Sequence, residues 1–156
     1  MKTYAQLVND CLANVKEIMP WDLEELVNSD KPPMLLDIRE PYEFDALRIR
    51  NSINVPRGIL ESACDYDYEE TVPELVAARD IPVVVICRSG YRSVLAAYTM
   101  QQMGYTDVCS LKTGIKGWND SELPLIDNDE NEVDIDDADE YFMPKLRPEQ
   151  LSKNNA

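Results

Sequence analysis

Apolar positions along the chain fall into two distinct registers. Tyr4, Leu7, Val8, Cys11, Leu12, Val15, Ile18 and Met19 recur at three- and four-residue spacing, the period of an amphipathic helix, and predict a helix over residues 3–18. After the interruption at Pro20 and Trp21, residues Leu23, Leu26 and Val27 place a second helix over 21–28, and Pro32-Pro33 then forces extended chain. Residues 34–38 and 81–86 form near-continuous apolar runs, the mark of strands covered on both faces. Pro82 sits at a strand entry, where a missing donor is tolerated. Short apolar pieces at 53–55 and 108–111 add two strands, while 73–79 and 91–103 read as helices, the latter ended by Gly104 in a left-handed conformation. The alternation predicts an α/β fold: a central, mainly parallel sheet with helices on both faces, and an extra helix at the N-terminus.

Length and charge refine this picture. At 156 residues and 44% hydrophobic content, one domain with its own core is expected, plus extensions. The formal charge is -15, and residues 127–140 hold nine acidic groups and no basic one. That density of like charge with little apolar content predicts a flexible, disordered acidic tail over 127–156, following an N-terminal helical extension over 1–19 and a domain over 20–126. So acidic a molecule attracts neither nucleic acid nor an anionic membrane surface. No stretch resembles a leader peptide or a membrane span, so a cytoplasmic location with reduced thiols is expected.

The chain has no histidine, which excludes Ser-His-Asp and Cys-His catalysis and every histidine-containing metal site. Its four cysteines, Cys11, Cys64, Cys87 and Cys109, lie too far apart for a C-x-x-C redox or zinc motif. No metal and no cofactor is expected. The informative stretch is Cys87-Arg88-Ser89-Gly90-Tyr91-Arg92, which follows a buried strand and precedes a helix with Val94, Leu95 and Tyr98 on its core face. Ligands of parallel sheets collect at the carboxyl ends of strands, where Cys87, Asp37 and Arg39 all fall. Gly90 lets the backbone fold back so that amide N–H groups converge on an anion at the helix start. Such surroundings, with arginine nearby, favour a thiolate, so Cys87 is a candidate nucleophile needing no histidine. The competing reading is a small buried residue closing a strand; two arginines, a serine and a glycine in the next five positions weigh against it.

At these residues the chain resembles the rhodanese (sulfurtransferase) family, whose signature loop runs six residues from its catalytic cysteine to an arginine. Cys87 to Arg92 has that length. Upstream, Leu35, Asp37, Arg39, Glu43, Phe44, Asn54 and Pro56 match the family's strand and N-x-P pattern, and downstream Gly114, Ile115 and Trp118 match its glycine turn. The usual Gly-His-Ile-x-Gly-Ala is replaced by Leu47-Arg48-Ile49-Arg50-Asn51-Ser52, and the first of two late glycines is Thr113. The resemblance spans residues 18–122 and implies a rhodanese-like fold. It implies that Cys87 takes sulfur from thiosulfate or a persulfide donor and passes it to a thiol or cyanide acceptor. Arg88, Ser89, Gly90, Tyr91, Arg92 and Ser93 would bind the small anionic donor; Asp37, Arg39 and Arg57 would support. A sulfur-relay protein would be a fitting partner. Phosphatases and arsenate reductases on this fold have a loop one residue longer, whereas a carrier or regulatory module acting with a partner protein would look the same in sequence.

The remaining features have blander expectations. Cys11 and Cys109 read as core packing and Trp118 as a core residue closing the last turn. Cys64, in an acidic loop, is expected to be exposed, with a resolving or sulfur-accepting thiol as the sharper alternative. Asp37 and Arg39 read equally as a structural ion pair. The tail reads as a solvating segment, or as one long enough to bring carboxylates over the arginine loop.

Overall fold

The computed structural model describes residues 1–152. The chain runs α1 (Tyr4–Leu12), β1 (Lys16–Ile18), α2 (Pro20–Val27), β2 (Met34–Asp37), α3 (Pro41–Ala46), β3 (Ile53–Asn54), a 3-10 turn (Arg57–Ile59), α4 (Leu60–Ala63) and α5 (Pro73–Val76). It continues through β4 (Val83–Ile86), α6 (Arg92–Gln102), β5 (Val108–Leu111), α7 (Gly114–Asp120), α8 (Ile135–Phe142) and a final 3-10 turn (Pro148–Gln150). The five strands form one parallel sheet in the order β1-β5-β4-β2-β3.

Successive strand side chains point to opposite faces, and both faces are covered. Leu36, Ile38, Val83, Val85 and Cys87 enter one core, where Val8, Leu60, Leu75, Val94, Ala97 and Met100 meet them. Leu35, Val84 and Ile86 enter the other, with Leu23, Ile115, Trp118, Leu125 and Phe142. The register Asp37↔Ile86 brings the carboxyl ends of β2 and β4 level, which sets Asp37 beside the strand that delivers Cys87. Gly104, at φ +95°, follows α6 as expected.

Three expectations are corrected. Residues 3–18 are not one helix: α1 ends at Leu12 and residues 16–18 pair with β5, Lys16 opposite Cys109 and Ile18 opposite Leu111. Val15 keeps the helical spacing yet is buried as sheet-side core, because pairing with the open edge of β5 outweighs local periodicity. The N-terminal segment therefore contributes a strand as well as a helix.

The tail is not disordered across 127–152. Its acids do not prevent α8, since Asp134 caps the helix by accepting from the Asp136 amide and Asp136 and Asp137 lie in the first turn, where the dipole favours negative charge. Ala138 and Phe142 face inward and are buried against the second core. Asn119 Nδ2 donates to Asp139 across α7 and α8 at 2.6 Å. The rest of that expectation, residues 153–156, lies outside the described residues.

Cys64 is not exposed. It sits in the first core at 0% exposure, and burial pushes its thiol up. Among the described residues no helix is long and apolar enough to cross a membrane.

Candidate active site

The loop after β4 turns back on itself so that its donors meet at the Cys87 sulfur. Gly90 N–H donates to Sγ at 3.1 Å and Ser93 N–H at 3.3 Å, while Ser93 Oγ lies 3.2 Å away. Ser93 Oγ is itself 2.7 Å from Ser110 Oγ on β5. The N-cap of α6, Tyr91, supplies no side-chain acceptor. The first-turn amide of Ser93, an orphan donor in any helix, takes the cysteine sulfur instead. Two amides donate to the sulfur, and the Ser93 hydroxyl, which accepts from the thiol, can turn to donate once the sulfur is ionised, a setting suited to negative charge.

Backbone contacts with the next crossover fix the turn. Ile115 N–H donates to the Cys87 carbonyl at 2.9 Å and Lys116 N–H to that of Arg88 at 3.0 Å. Gly114, at φ +64°, leaves no room for a Cβ, which would stand 2.4 Å from the Arg88 carbonyl oxygen. Gly90, at φ +91°, is less confined, a Cβ there standing 3.0 Å from the Thr113 amide nitrogen. Thr113 keeps the left-handed backbone, φ +67°, in place of a glycine, a conformation that costs a β-branched residue on the order of 1–3 kcal/mol. Asn51 does the same at φ +68°. Leu47 is extended, φ -166°, so nothing there requires glycine, and its side chain fills the second core.

None of the predicted cations hydrogen-bonds the Cys87 sulfur. Arg92 forms a fork with Glu43, both contacts at 3.1 Å. Burial opposes ionisation of Glu43, but the Arg92 guanidinium and the Glu40 amide outweigh it and hold the carboxyl below its ordinary range. Arg88 reaches α8 and donates to the Phe142 carbonyl at 2.5 Å. Arg57 bonds Glu61 at 2.7 Å and Thr99 at 3.4 Å, with no bond to the loop. Ser89 and Tyr91 are exposed at the rim, where the Tyr91 ring meets Tyr4 edge-on at 5.3 Å.

Asp37 and Arg39 form a wholly buried pair. Arg39 Nε reaches both carboxylate oxygens, at 3.0 and 3.1 Å, and its terminal nitrogen binds Asp37 at 2.8 Å and the Leu47 carbonyl at 2.7 Å. Asn54 Nδ2 donates to the carbonyls of both residues. The pair thus ties the end of β2 to the 47–54 turn and makes no hydrogen bond to the Cys87 loop. Removing one partner would strand a buried charge, at a cost of roughly 3–5 kcal/mol. Trp118 is core, with its indole N–H on the Pro124 carbonyl at 2.9 Å. Cys109 is partly buried in β5, and burial, with Asp107 nearby, pushes its thiol up to about 11.

Sequence reasoning missed Ser110 and Tyr4 as neighbours of the loop, and it allowed the tail to reach the arginines only through mobile carboxylates, whereas helix α8 meets Arg88 through the Phe142 carbonyl. Ser110 lies in an otherwise apolar strand and carried no signal. Glu43, matched only as part of a pattern, proves to be the partner of Arg92.

A parallel α/β sheet with a cysteine held by amides at its carboxyl end defines the class: a cysteine-loop domain able to stabilise an anion on or beside sulfur. The family model for the rhodanese-like domain matches residues 19–121, and the chain belongs to that family. It is 32% identical over 115 residues, 68% of this chain and 81% of the relative, to a protein of Schizosaccharomyces pombe named "Putative thiosulfate sulfurtransferase, mitochondrial". It is 27% identical over 106 residues, 68% of this chain and 52% of the relative, to the "Putative sulfur carrier protein YrkF" of Bacillus subtilis. Relatives that combine adenylyltransferase and sulfurtransferase names are longer, and the chain spans 22% of one from Oryza sativa. Among solved structures, a protein of unknown function from Rhodopseudomonas palustris titled "Possible Tyrosine Phosphatase" superposes with a TM-score of 0.68 at 27% identity, over 80% of this chain and 94% of that one.

Proposed function

We propose that the protein is a sulfurtransferase that carries sulfane sulfur on Cys87. The Cys87 thiolate attacks the outer sulfur of thiosulfate; the donor S–S bond breaks, its electron pair leaves on sulfite, and Cys87 becomes a persulfide. An acceptor thiolate or cyanide then attacks the outer sulfur and returns Cys87 to the thiolate, a two-step ping-pong cycle. The observation that carries this reading is the convergence of the Gly90 and Ser93 amides and the Ser93 hydroxyl on Sγ. The same donors serve the thiolate before loading and after release. The six-residue span from Cys87 to Arg92, and the thiosulfate sulfurtransferase name of the fission-yeast relative, support sulfur over phosphoryl chemistry.

A second reading follows from the rim. Arg88 is engaged by Phe142 and Arg92 by Glu43, and Cys87 is 1% exposed. That fits a carrier loaded by a partner protein, with slow turnover of free thiosulfate. Steady-state transfer from thiosulfate to cyanide or dithiothreitol, with wild type beside Cys87→Ser, tests both. Turnover in wild type and none in the variant is expected of the enzyme. No turnover, with sulfur still accepted on Cys87, selects the carrier. Equal turnover in both proteins contradicts either reading.

A further inference from the structure

Beside the loop lies a cleft of about 270 Å³ whose apolar wall includes Val8 and Leu12 of α1, Tyr91 of the loop and Val94 of α6. Gly90, whose amide donates to the Cys87 sulfur, lines it too, so the cleft borders the cradle. Val8, Leu12 and Glu17 precede the stretch matched by the family model, residues 19–121, so one side of the cleft is supplied by the N-terminal segment and the other by the loop and α6. The edge-on contact of Tyr4 with Tyr91 fastens the start of α1 to the loop. Two charges of opposite sign border the cleft, Glu17 on β1 and Lys112 just after β5. Neither takes part in an ion pair among the described residues. A dianionic donor gains little there, because the attraction of Lys112 is offset by Glu17. A ligand with one charge of each sign, on a short apolar body, is complementary to both.

We propose that this cleft seats the sulfur acceptor, and that the acceptor is a small zwitterionic thiol bearing an ammonium for Glu17 and a carboxylate for Lys112. The inference rests on the persulfide reading above and names its second substrate. The acceptor thiolate attacks the outer sulfur of the Cys87 persulfide, the bond to Cys87 Sγ breaks, and the electron pair returns to Cys87. The product leaves as the acceptor's persulfide, and no oxidant or reductant is consumed.

The test loads the full-length protein with thiosulfate, removes the donor, and follows discharge by L-cysteine, cysteamine, 3-mercaptopropionate and cyanide. Glu17→Gln is expected to slow L-cysteine and cysteamine by about two- to fivefold, the range of exposed charge pairs, and to leave 3-mercaptopropionate and cyanide unchanged. Lys112→Met is expected to slow L-cysteine and 3-mercaptopropionate and to spare cysteamine and cyanide. Both positions are on the surface, so both variants fold. Wild-type discharge of all four acceptors in both variants, or equal slowing of all four, overturns the inference while the persulfide reading stands. Failure of Cys87 to take up sulfur, seen before any acceptor is added, overturns the underlying reading and this one with it.

Discussion

The cradle around Cys87 and the rim above it are built from different materials. In the cradle, backbone amides and one serine hydroxyl surround a buried sulfur, and the turn is pinned by the Ile115 and Lys116 amides and by a glycine that admits no side chain. At the rim, long side chains pair across elements: Arg92 with Glu43, Arg88 with the end of α8, Tyr91 with Tyr4. Donors to the sulfur are thus fixed by the chain path, whereas the rim side chains, which the proposed function sets against the sulfur donor, can exchange partners. Chemistry should therefore respond sharply to changes in the cradle, and substrate affinity mildly to changes at the rim.

The largest effect is expected from Gly114→Ala. The added methyl would collide with the Arg88 carbonyl and displace the loop, and a misplacement near 1 Å costs catalysis about 100-fold. Turnover should fall by at least that factor with the protein still folded by circular dichroism; activity within twofold of wild type would break the contrast. Ser93→Ala keeps the amide and removes the hydroxyl beside the sulfur. Losing one hydrogen bond of roughly 1.4 kcal/mol predicts about a tenfold fall in the rate of sulfur loading, readable by stopped-flow with thiosulfate.

Arg88→Ala should be milder, since its guanidinium is already committed to the Phe142 carbonyl. The expected result is a rise of less than about tenfold in KM for thiosulfate, with kcat retained. A collapse of kcat alone would move Arg88 from rim to cradle. The smallest effect concerns Glu43. Its carboxyl is held below the ordinary value of 4.5, so its pairing stabilises the fold fully above that value and is lost as pH falls through the lower one. Between about pH 5 and pH 3, wild type should lose more thermal stability than Glu43→Gln; parallel curves would show that the pair contributes nothing.

How legible these regions were in the sequence follows the same division. Strand β4 and the loop after it were readable because a run of Val and Ile ends abruptly at Cys87 and is followed by Gly90, a local signal with a local cause. The buried Asp37–Arg39 pair was readable as a pair, but its role in tying the 47–54 turn depends on Leu47 and Asn54, which only the fold brings near. Strand β1 was hidden because three residues continued a helical spacing, and the missing information was the open edge of β5. Helix α8 was hidden by its acids: Ile135, Ala138 and Phe142 share one face, but composition drowned them. Cys64 was misplaced for the same reason, its acidic neighbours saying nothing of the inward turn from α4.

The most direct measurement is the intact mass of the protein after treatment with thiosulfate and removal of excess donor, with the added mass located by peptide mapping under non-reducing conditions. Sulfur carried on Cys87 predicts a gain of about 32 Da, one sulfur atom, confined to the peptide bearing Cys87, absent in Cys87→Ser and released by dithiothreitol. An unchanged mass, or the same gain on Cys11, Cys64 or Cys109, would contradict it.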